Sequence, residues 1–460
     1  MIQPTNESSS SNGSVAVRAT PRALTGPRGL PLFGNSLALV SDPLDFLTRI
    51  SREHGDVVRF TLPGQTIYLL NHPDAIEEAL KASSDDLTKD DFTQRLSVAI
   101  GRGLLTSEGD FWRRQRKLAQ PAFHHHRVRA YADVMVGHTE RAVSKFVDGT
   151  TIDIHASVMR LTLDIVAETL FGADVGGAAG RIGTALEVMM DRFSGFSAIL
   201  PGWLPTPANR KLTRAVKEMN EVVYGIIRDR RSAPDRGDLL SMLLGAKTEG
   251  GSGMSDQQLR DEVVTLLLAG HETTALALTF TFHLLARNPG ALERLSAEIA
   301  SALGDRPATF ADLPNLPYAD AVIRETLRLF PPAWAIGREA ARPCRIGGLD
   351  LAKGAQVWLA QWVVHRDARW FPDPEAFEPA RWLDDGAKRL PRYAYFPFGG
   401  GPRVCIGNAF AMMEAVLLLV TIARRVRIHA TSDVPLRLSP SVTLRPRDPV
   451  PMRIERAPAH

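Results

Sequence analysis

One predicted helix, spanning residues 255–287, constrains the fold of this chain more than any other segment. Ser255 is a typical N-cap, and the helical pattern ends before Asn288. About 33 residues at about 1.5 Å each give a helix of about 50 Å, long enough to cross a whole domain. The segment is apolar enough to suggest a membrane span, but His271 and Glu272 lie at its middle, where an ionisable pair in lipid would be costly. We therefore predict a buried central helix.

Most of the remaining periodicity is helical, and the β signals are short. Two strands, 56–60 and 66–70, are predicted as a hairpin across residues 62–65. Beyond residue 335 the pattern changes to short strands and turns, and a final β region follows the last helix. The other predicted helices are 73–80, 111–119, 127–145, 151–171, 178–193, 209–231 and 409–425, and the later strands include 345–348 and 356–359. The fold class is therefore mainly α with small β-sheets.

The chain is predicted to form a single domain behind a short tail. Residues 1–25 are rich in Ser, Asn and Thr without any period, which predicts a flexible tail. No repeat or clear linker follows, so we expect one domain over residues 26–460, although length alone would allow about three. The N-terminus lacks the basic and apolar regions of a signal peptide, and no purely apolar stretch of about 18 residues suggests a membrane anchor.

Charge and cysteine content exclude several classes of protein. The 55 Lys and Arg residues against 51 Asp and Glu give a formal charge of +4, too small over this length for a general nucleic-acid binder. Two cysteines, Cys344 and Cys405, exclude a disulfide framework and a Cys-rich zinc module. We interpret Cys344 as structural. The expectation is a monomeric, cytoplasmic enzyme that binds no nucleic acid.

Cys405 lies in a glycine-rich loop directly before a predicted helix. Three consecutive glycines, 399–401, let the backbone approach a flat, bulky group and fold tightly around the sulfur. The positive end of the following helix lowers a thiol pKa and favours the thiolate, the form that binds metal. A cysteine is often only a small buried apolar residue, but the glycines and Arg403 favour a ligand here. One cysteine cannot hold zinc or an iron–sulfur cluster alone, so haem iron with an axial thiolate fits.

The pattern Phe398-x-x-Gly401-x-Arg403-x-Cys405-x-Gly407 resembles the haem-ligand loop of the cytochrome P-450 family of haem-thiolate monooxygenases. Three further segments match this family in order and spacing, so the resemblance extends from about residue 26 to the end. It implies one cytochrome P-450-type domain with the long central helix over the haem. It also implies heme b with Cys405 as the axial iron ligand and Phe398, Arg403 and Gly407 beside it.

The second matching segment, Ala269-Gly270-His271-Glu272-Thr273-Thr274, lies midway along the central helix. Gly270 removes a side chain where a flat cofactor would lie, and Thr273 can bond to the backbone and open the helix slightly. The simpler alternative to a functional site is that these polar side chains only form hydrogen bonds within the helix. The resemblance implies that Thr273 stabilises bound dioxygen and that Glu272 helps to deliver protons. A zinc-protease motif fails, because position 275 is alanine instead of a second histidine.

The third matching segment contains Glu325 and Arg328, which share one face of a predicted helix. The Glu-x-x-Arg spacing alone carries no information, because two other pairs in this chain also satisfy it. The helical frame that ends in Pro331-Pro332 is what resembles the family. The resemblance implies a structural role, in which this pair and an arginine such as Arg381 lock the cysteine loop in place.

The fourth segment places Trp112 and Arg116 one turn apart on a helix. The two propionates of a haem need cationic partners and N–H donors, and arginine can hold them bidentately. The resemblance implies that Trp112, Arg116, Arg338 and Arg403 bind the propionates. The adjacent arginines 113 and 114 are explained equally well as solvated surface residues.

The activity that the resemblance implies is insertion of one oxygen atom of O2 into a hydrophobic organic substrate. No flavin domain follows residue 428, so we expect electrons from a separate ferredoxin or flavodoxin with its NAD(P)H reductase. Residues 111–131 contain six Lys or Arg, three His and no acid, and with arginines 424, 425 and 427 they predict a basic face that docks an acidic donor. A haem-thiolate gas sensor and a haem-thiolate isomerase or peroxygenase share the cysteine loop, but the Glu272–Thr273 pair favours the monooxygenase.

The segments expected to line the substrate cavity are largely apolar and aromatic. They predict a fatty acid, a terpenoid, a steroid or a macrocyclic natural product, and they do not choose among these. The expected lining comprises 87–105, 193–203, Leu268, Ala269, Trp334, Ile336 and Thr443.

Overall fold

The structure is a computed structural model that describes residues 24–172, 179–193, 202, 204–232, 234–246, 251 and 253–457. The predicted tail lies almost wholly outside the described residues, and so does most of the predicted cavity wall 193–203. The described chain is mainly helical with small sheets, as predicted from the sequence. The single domain over 26–460 stays a prediction.

The helices account for most of the described chain. In chain order they are α1 (Ser36–Ser41), α2 (Pro43–His54), α3 (Pro73–Lys81), α4 (Asp91–Arg95), α5 (Ser97–Ile100), α6 (Gly109–Ala119), α7 (His125–Ala130), α8 (Ala132–Val143), α9 (Ile154–Phe171), α10 (Ala179–Asp191), α11 (Pro207–Arg231), α12 (Leu239–Gly245), α13 (Asp256–Leu285), α14 (Pro289–Leu303), α15 (Pro317–Leu329), α16 (Gln361–Val364) and α17 (Asn408–Arg425). Short 3-10 turns occur between them, and a single residue separates one of these, Gly401–Arg403, from Cys405.

The strands form one larger sheet, one three-stranded sheet and two hairpins. They are β1 (Val57–Leu62), β2 (Gln65–Leu70), β3 (Leu87–Lys89), β4 (Thr151–Asp153), β5 (Ile336–Ala340), β6 (Cys344–Ile346), β7 (Leu349–Leu351), β8 (Gln356–Leu359), β9 (Val426–Ala430), β10 (Leu438–Pro440), β11 (Leu444–Pro446) and β12 (Pro451–Arg456). The larger sheet has the order β1-β2-β8-β5-β3, and the three-stranded sheet has the order β4-β12-β9. The hairpins are β6-β7 and β10-β11.

The central helix α13 organises the core, as its length predicted. A capping box starts it: the Ser255 hydroxyl accepts the Gln258 N–H at 3.2 Å, and the Gln258 side chain accepts the Ser255 N–H at 2.9 Å. Among the described helices α13 alone is long and apolar enough to cross a membrane, and 83% of that stretch is buried inside the protein. The buried central helix is therefore confirmed.

Several boundaries differ from the sequence prediction for identifiable reasons. The predicted helix 151–171 begins instead with strand β4, whose Ile152 pairs with Met452 of β12, and Asp153 then caps α9 by accepting the His155 N–H at 3.0 Å. The predicted helix 127–145 divides at Tyr131 into α7 and α8. Helices α2 and α14 were not predicted. Pairing across about 300 residues is not visible in local periodicity, which explains the missed strand.

Candidate active site

A cavity of about 370 Å³ lies between the central helix and the cysteine loop. Ala269, Thr273 and Leu266 of α13 contribute to its wall, and so does Cys405 from the loop before α17. The wall is mostly apolar, with polar groups concentrated at two places. One is a set of cations contributed by β3, β5, α6 and the cysteine loop, and the other is the polar segment of α13.

The glycines of the cysteine loop are required by packing inside the protein. A Cβ on Gly400 would overlap the ring of Tyr393, and a Cβ on Gly401, whose φ is +62°, would overlap the carbonyl of Leu80. The N–H of Cys405 donates to the carbonyl of Phe398 at 3.0 Å and closes the loop. The sequence predicts that these glycines let the backbone approach a flat, bulky cofactor. The close approach that the structure shows at these two positions is to neighbouring protein.

Cys405 lines the cavity inside the protein, and its exposed surface opens onto that cavity, whereas Cys344 lies elsewhere, at the start of β6. Burial raises the pKa of the Cys405 thiol above its ordinary value, and the Gly407 N–H and the charge of Arg116 offset only part of that effect. In the protein alone, burial therefore opposes the thiolate that the loop and the helix end are expected to favour, and their effect on the ligated sulfur stays a prediction. A bound metal cation supplies the missing stabilisation, since it deprotonates a ligating thiol outright.

The predicted propionate ligands converge on one end of the cavity. Arg116 donates from Nη1 to the carbonyl of Val404 at 2.8 Å, and its guanidinium lies 5.8 Å from the ring centre of Trp112. The guanidinium of Arg403 stacks on the same Trp112 ring, 3.8 Å from its centre, and forms an ion pair with Glu108. Trp112, Arg116 and Arg403 line the cavity together with Arg338, so the structure brings the four predicted ligands together. Their role in binding the propionates stays a prediction.

Sequence reasoning missed Lys89, which lies at the same end of the cavity. Its strand β3 pairs antiparallel with β5 in a register that sets Lys89 directly opposite Arg338. Burial, together with the charges of Arg338 and Arg403, lowers the pKa of Lys89 to about 7. Like charges directly opposite one another in a sheet are destabilising, and these two cations face a cavity. An anionic group at this position would relieve the repulsion, and the two carboxylates of a haem fit that requirement.

Gly270 and Thr273 are placed differently on α13. A Cβ on Gly270 would lie 2.8 Å from Cγ2 of Val166, so the glycine permits close packing of α9 against α13. That is a different role from the predicted opening for a cofactor, although Gly270 also borders the cavity. The Thr273 hydroxyl donates to the carbonyl of Ala269 at 2.6 Å, one turn earlier, as the sequence predicted. Its lone pairs remain able to accept a hydrogen bond.

Glu272 is buried and held by two groups from the C-terminal hairpin β10-β11. The Thr443 hydroxyl donates to its carboxylate, and Arg445 donates from Nε at 2.6 Å. Burial alone would raise the pKa of Glu272, but the charge and hydrogen bonds of Arg445, with that of Thr443, lower it below its ordinary value. Arg445 also lies 3.5 Å from Asp191, whose side chain is exposed. Sequence reasoning missed Arg445, because it is far from Glu272 along the chain.

The neighbouring His271 shows no sign of a metal site. Burial lowers its pKa to about 4, and its backbone carbonyl accepts the Thr162 hydroxyl at 2.9 Å. Among the described residues, no group of three or more His, Cys, Asp or Glu side chains is placed to hold a metal ion.

Glu325 is the centre of a buried network that reaches the cysteine loop. Arg328 forms a bidentate pair with it at 2.8 and 2.9 Å, and Arg381 donates to it at 2.9 Å. Trp382 donates to the same carboxylate at 2.8 Å. Arg328 also donates to the carbonyl of His365 at 2.9 Å, whose ring accepts the Phe396 N–H at 2.9 Å, two residues before the loop begins. The three charged residues predicted to form this lock are therefore brought together.

The predicted basic face is reduced by internal pairing. Arg424 is buried and bonded to Glu140 and to the carbonyl of Asp305, and the exposed Arg425 pairs with the same glutamate at 3.1 Å. Arg113 pairs with Asp110 at 2.8 Å. Arg114 and Arg427 are exposed. The prediction that Arg424 contributes to a solvent-facing basic surface was wrong, because Arg424 is buried and donates to Glu140 and to the Asp305 carbonyl.

Comparison of the sequence and the structure with known proteins identifies the family of this chain. A sequence profile of the Cytochrome P450 family matches residues 24–454, so this chain belongs to the cytochrome P450 family. It is 39% identical to cyclooctatin synthase of Streptomyces melanosporofaciens, over 92% of this chain and 94% of that protein. It is 38% identical to cyclooctat-9-en-7-ol 5-monooxygenase of the same organism, over 88% and 89% of the two chains. The structure of retinoic acid bound cyanobacterial CYP120A1 matches with a TM-score of 0.85 at 27% identity, covering 94% of this chain and 99% of that one.

Membership of the family establishes the coarse function. The chain is a haem-dependent monooxygenase with a cysteine-ligated haem, and it uses O2 and electrons from a redox partner to oxidise a hydrophobic organic substrate. The predicted fold class, cofactor and reaction type are confirmed.

Proposed function

We propose that this chain hydroxylates a cyclic terpenoid in the cavity between α13 and Cys405. The observation that supports the proposal is the mostly apolar wall of this cavity. Its polar lining includes Cys405 and the cations Lys89, Arg116, Arg338 and Arg403. The names of the two relatives contain cyclooctatin and a cyclic alkenol, and the structural relative is bound to retinoic acid, which is itself an isoprenoid. Among the substrate classes that the sequence left open, the terpenoid has this additional support.

The residues proposed to hold the haem divide into a ligand and an anion clamp. Cys405 is proposed to bind the haem iron through its sulfur, with Gly407 supplying an N–H toward that sulfur. Haem iron with a thiolate ligand supplies the oxygen chemistry. The propionates are assigned to Trp112, Arg116, Arg338 and Arg403, with Lys89 as a fifth partner supported by its position opposite Arg338. Phe398 and Gly270 border the same space.

Proton delivery is assigned to Glu272 and Thr273. Glu272 is held as the carboxylate by Arg445, so it can accept a proton from solvent and pass it inward only when that ion pair loosens. Thr273 presents hydroxyl lone pairs beside the cavity while its proton is shared with Ala269. Thr273→Ala is expected to keep the haem and to divert electrons into hydrogen peroxide. Unchanged coupling of NAD(P)H use to product would contradict this role.

The electron donor is proposed to be a ferredoxin or flavodoxin served by an NAD(P)H reductase, and the chain is proposed to act as a cytoplasmic monomer. Exposed cations such as Arg114 and Arg427 support an acidic donor. Electrostatic steering predicts that the association rate falls steeply with ionic strength. A rate that does not change with salt would remove the docking proposal and leave the monooxygenase assignment intact.

The substrate class is tested by the haem spectrum. Purified holoenzyme is titrated with a cyclic terpene hydrocarbon, a cyclic terpene alcohol, a steroid and a long-chain fatty acid. We expect the terpenes to shift the Soret band from low spin to high spin at lower concentration than the other two. A stronger response to the fatty acid or the steroid would overturn the terpenoid proposal.

A further inference from the structure

A short loop between α5 and α6 forms part of the cavity wall. We call residues 101–107 the cavity loop, because Leu104 and Leu105 within it line the cavity. The loop is closed on itself, since the Thr106 hydroxyl donates to the carbonyl of Gly101 at 2.6 Å. The position of the loop relative to the central helix therefore decides where the two leucines stand in the cavity.

Two adjacent acids of the central helix hold this loop by its backbone. The N–H of Arg102 donates to the carboxyl group of Asp261 at 2.8 Å, and the N–H of Leu104 donates to that of Glu262 at 3.1 Å. Both acids are buried, with 6% and 1% of their surface exposed. The two N–H groups find their partners on α13 and not within the loop, so Asp261 and Glu262 set the distance between the loop and the helix.

The loop is shaped to lie against these acids. Gly101 has a φ of +80°, and a Cβ there would overlap the carboxyl group of Asp261. A Cβ on Gly103 would overlap the hydroxyl of Thr265, one turn further along α13. Thr265 itself lines the cavity, so this contact reaches the cavity wall. Only glycine lets the backbone approach the helix this closely.

Burial of the two acids costs free energy that is only partly offset. Asp261 pairs with Arg260 at 3.0 Å and accepts a hydrogen bond from the Gln257 side chain at 2.8 Å. One oxygen of Glu262 has no hydrogen-bond partner among the described residues, and burial, together with the charge of Asp261, raises the pKa of Glu262 to about 8. An apolar side chain of similar size would cost less at this position. The hydrogen bond from the Leu104 N–H accounts for an acid here.

We propose that Asp261 and Glu262 are positioning residues, which set the affinity of the cavity for its ligand by holding Leu104 and Leu105 in the wall. Neither acid is among the described residues that line the cavity, so each acts through the loop instead of touching the ligand. When the loop separates from α13, a bound ligand loses apolar contacts with both leucines. This role applies to any ligand that reaches the leucines and does not depend on the terpenoid proposal.

The attachment is tested by limited trypsin digestion of the holoenzyme, because Arg102 is exposed within the loop. Cleavage after Arg102 requires local opening, and mass spectrometry identifies it by a fragment that begins at Gly103. We expect Glu262→Met to speed this cleavage at least about fivefold, since the Leu104 N–H loses its partner. Glu262→Gln keeps an oxygen that accepts this N–H, so it should be cleaved at close to the parent rate.

Glu414 supplies the matched control. It is an equally buried glutamate whose pKa burial also raises to about 8, but it lies on α17. Glu414→Met should leave the rate of cleavage after Arg102 unchanged. If both methionine variants speed the cleavage equally, the effect is general destabilisation and the proposal is overturned.

The effect on the cavity is measured with two ligands of the haem iron that differ in size. Imidazole binds iron through a ring nitrogen, as histidine does, and clotrimazole is an imidazole that carries three aromatic rings. We expect Glu262→Met to weaken clotrimazole binding at least about threefold in a Soret titration, because contacts with the displaced leucines are lost. Imidazole is too small to depend on these contacts, so its affinity should not change.

Two results would contradict the proposal. Unchanged cleavage of Glu262→Met contradicts the attachment, and unchanged clotrimazole affinity contradicts its role in the cavity. If Glu262→Met does not retain haem, Gly103→Ala replaces it, because the added Cβ meets the Thr265 hydroxyl and displaces the loop without altering either acid. Both azoles bind the iron whatever the natural substrate is, so failure here and failure of the terpenoid proposal are distinguishable.

Discussion

Lys89 of β3 and Arg338 of β5 lie directly opposite each other in the sheet, and both line the cavity that ends at Cys405. Two cations at such a position repel each other unless an anion lies between them. The charges of Asp90 and Glu108 raise the pKa of both Lys89 and Arg338, but burial lowers it by more. This pairing makes the protein without haem pH-sensitive, and a haem carboxylate would remove the conflict.

Lys89→Met is predicted to have opposite effects on the two forms of the enzyme. The haem-free variant should be more stable than the parent, because a buried repulsion is removed. The folded-state pKa of Lys89 is about 7 against an ordinary 10.5, so the gain is largest below pH 7 and disappears as the pH approaches about 10. The haem-loaded variant should lose haem faster. Urea unfolding between pH 6 and pH 10 and haem transfer to apomyoglobin measure the two effects.

The exposed Lys353 provides the control for this experiment. Lys353→Met should change neither the unfolding free energy nor the rate of haem loss. If Lys89→Met lowers the stability of the haem-free protein at pH 6, the repulsion inferred from the sheet register is wrong.

Glu325→Gln is predicted to destabilise the fold by about 3 to 5 kcal/mol, because Arg328 and Arg381 would be left with a buried, uncompensated charge. Glu378→Gln is the matched control, since Glu378 also precedes an arginine by three residues but is exposed. It should cost less than about 0.5 kcal/mol. Thermal unfolding and haem content after purification report both variants, and equal stability of the two would contradict the structural role of Glu325.

Glu414→Gln is predicted to stabilise the protein by an amount that grows from about pH 4.5 to about pH 8. Glu414 is buried in α17 beside Thr274, and burial raises its pKa to about 8 although the Thr274 side chain offsets part of that effect. The cost of the charge is absent below about pH 4.5 and grows as the pH rises toward 8. Urea unfolding at pH 5 and pH 8.5 should therefore show a much larger gain at the higher pH. A similar gain at both values would exclude ionisation as its cause, and the exposed Glu218→Gln should show no gain at either.

Leu32→Gly is predicted to raise the free energy of unfolding by about 1 kcal/mol, because glycine adopts a φ of +65° without strain. Leu37→Gly, in the helical α1, should lower it by a similar amount. Thermal unfolding distinguishes the two signs. A loss of stability in Leu32→Gly would show that the leucine packs against the protein and is not held outward.

The sequence was sufficient for the parts of the site that lie within one segment. The capped central helix, the cysteine loop and the Glu325–Arg328 pair each depend on residues close together in the chain, so periodicity and spacing predict them. The resemblance to a known family added the residues 112, 116, 338 and 403, which local patterns alone do not connect.

The parts that escaped prediction depend on contacts between distant segments. Lys89 meets Arg338 only through the register of β3 and β5, and Arg445 meets Glu272 only because the hairpin β10-β11 folds back onto α13. Burial of the Cys405 sulfur, which raises the pKa of the thiol, likewise depends on the whole fold and not on the residues next to it in the sequence. The left-handed Leu32 has no sequence signal, because leucine is not the residue expected at that backbone angle.

The most direct test of the account is the spectrum of the reduced carbon-monoxide adduct in three proteins. The parent and Cys344→Ser should both show the far-shifted Soret band that a thiolate ligand produces, because Cys344 lies outside the cavity. Cys405→Ser should lose that band while its far-UV circular dichroism stays native. Retention of the band in Cys405→Ser, or its loss in Cys344→Ser alone, would contradict the assignment of residue 405 as the iron ligand.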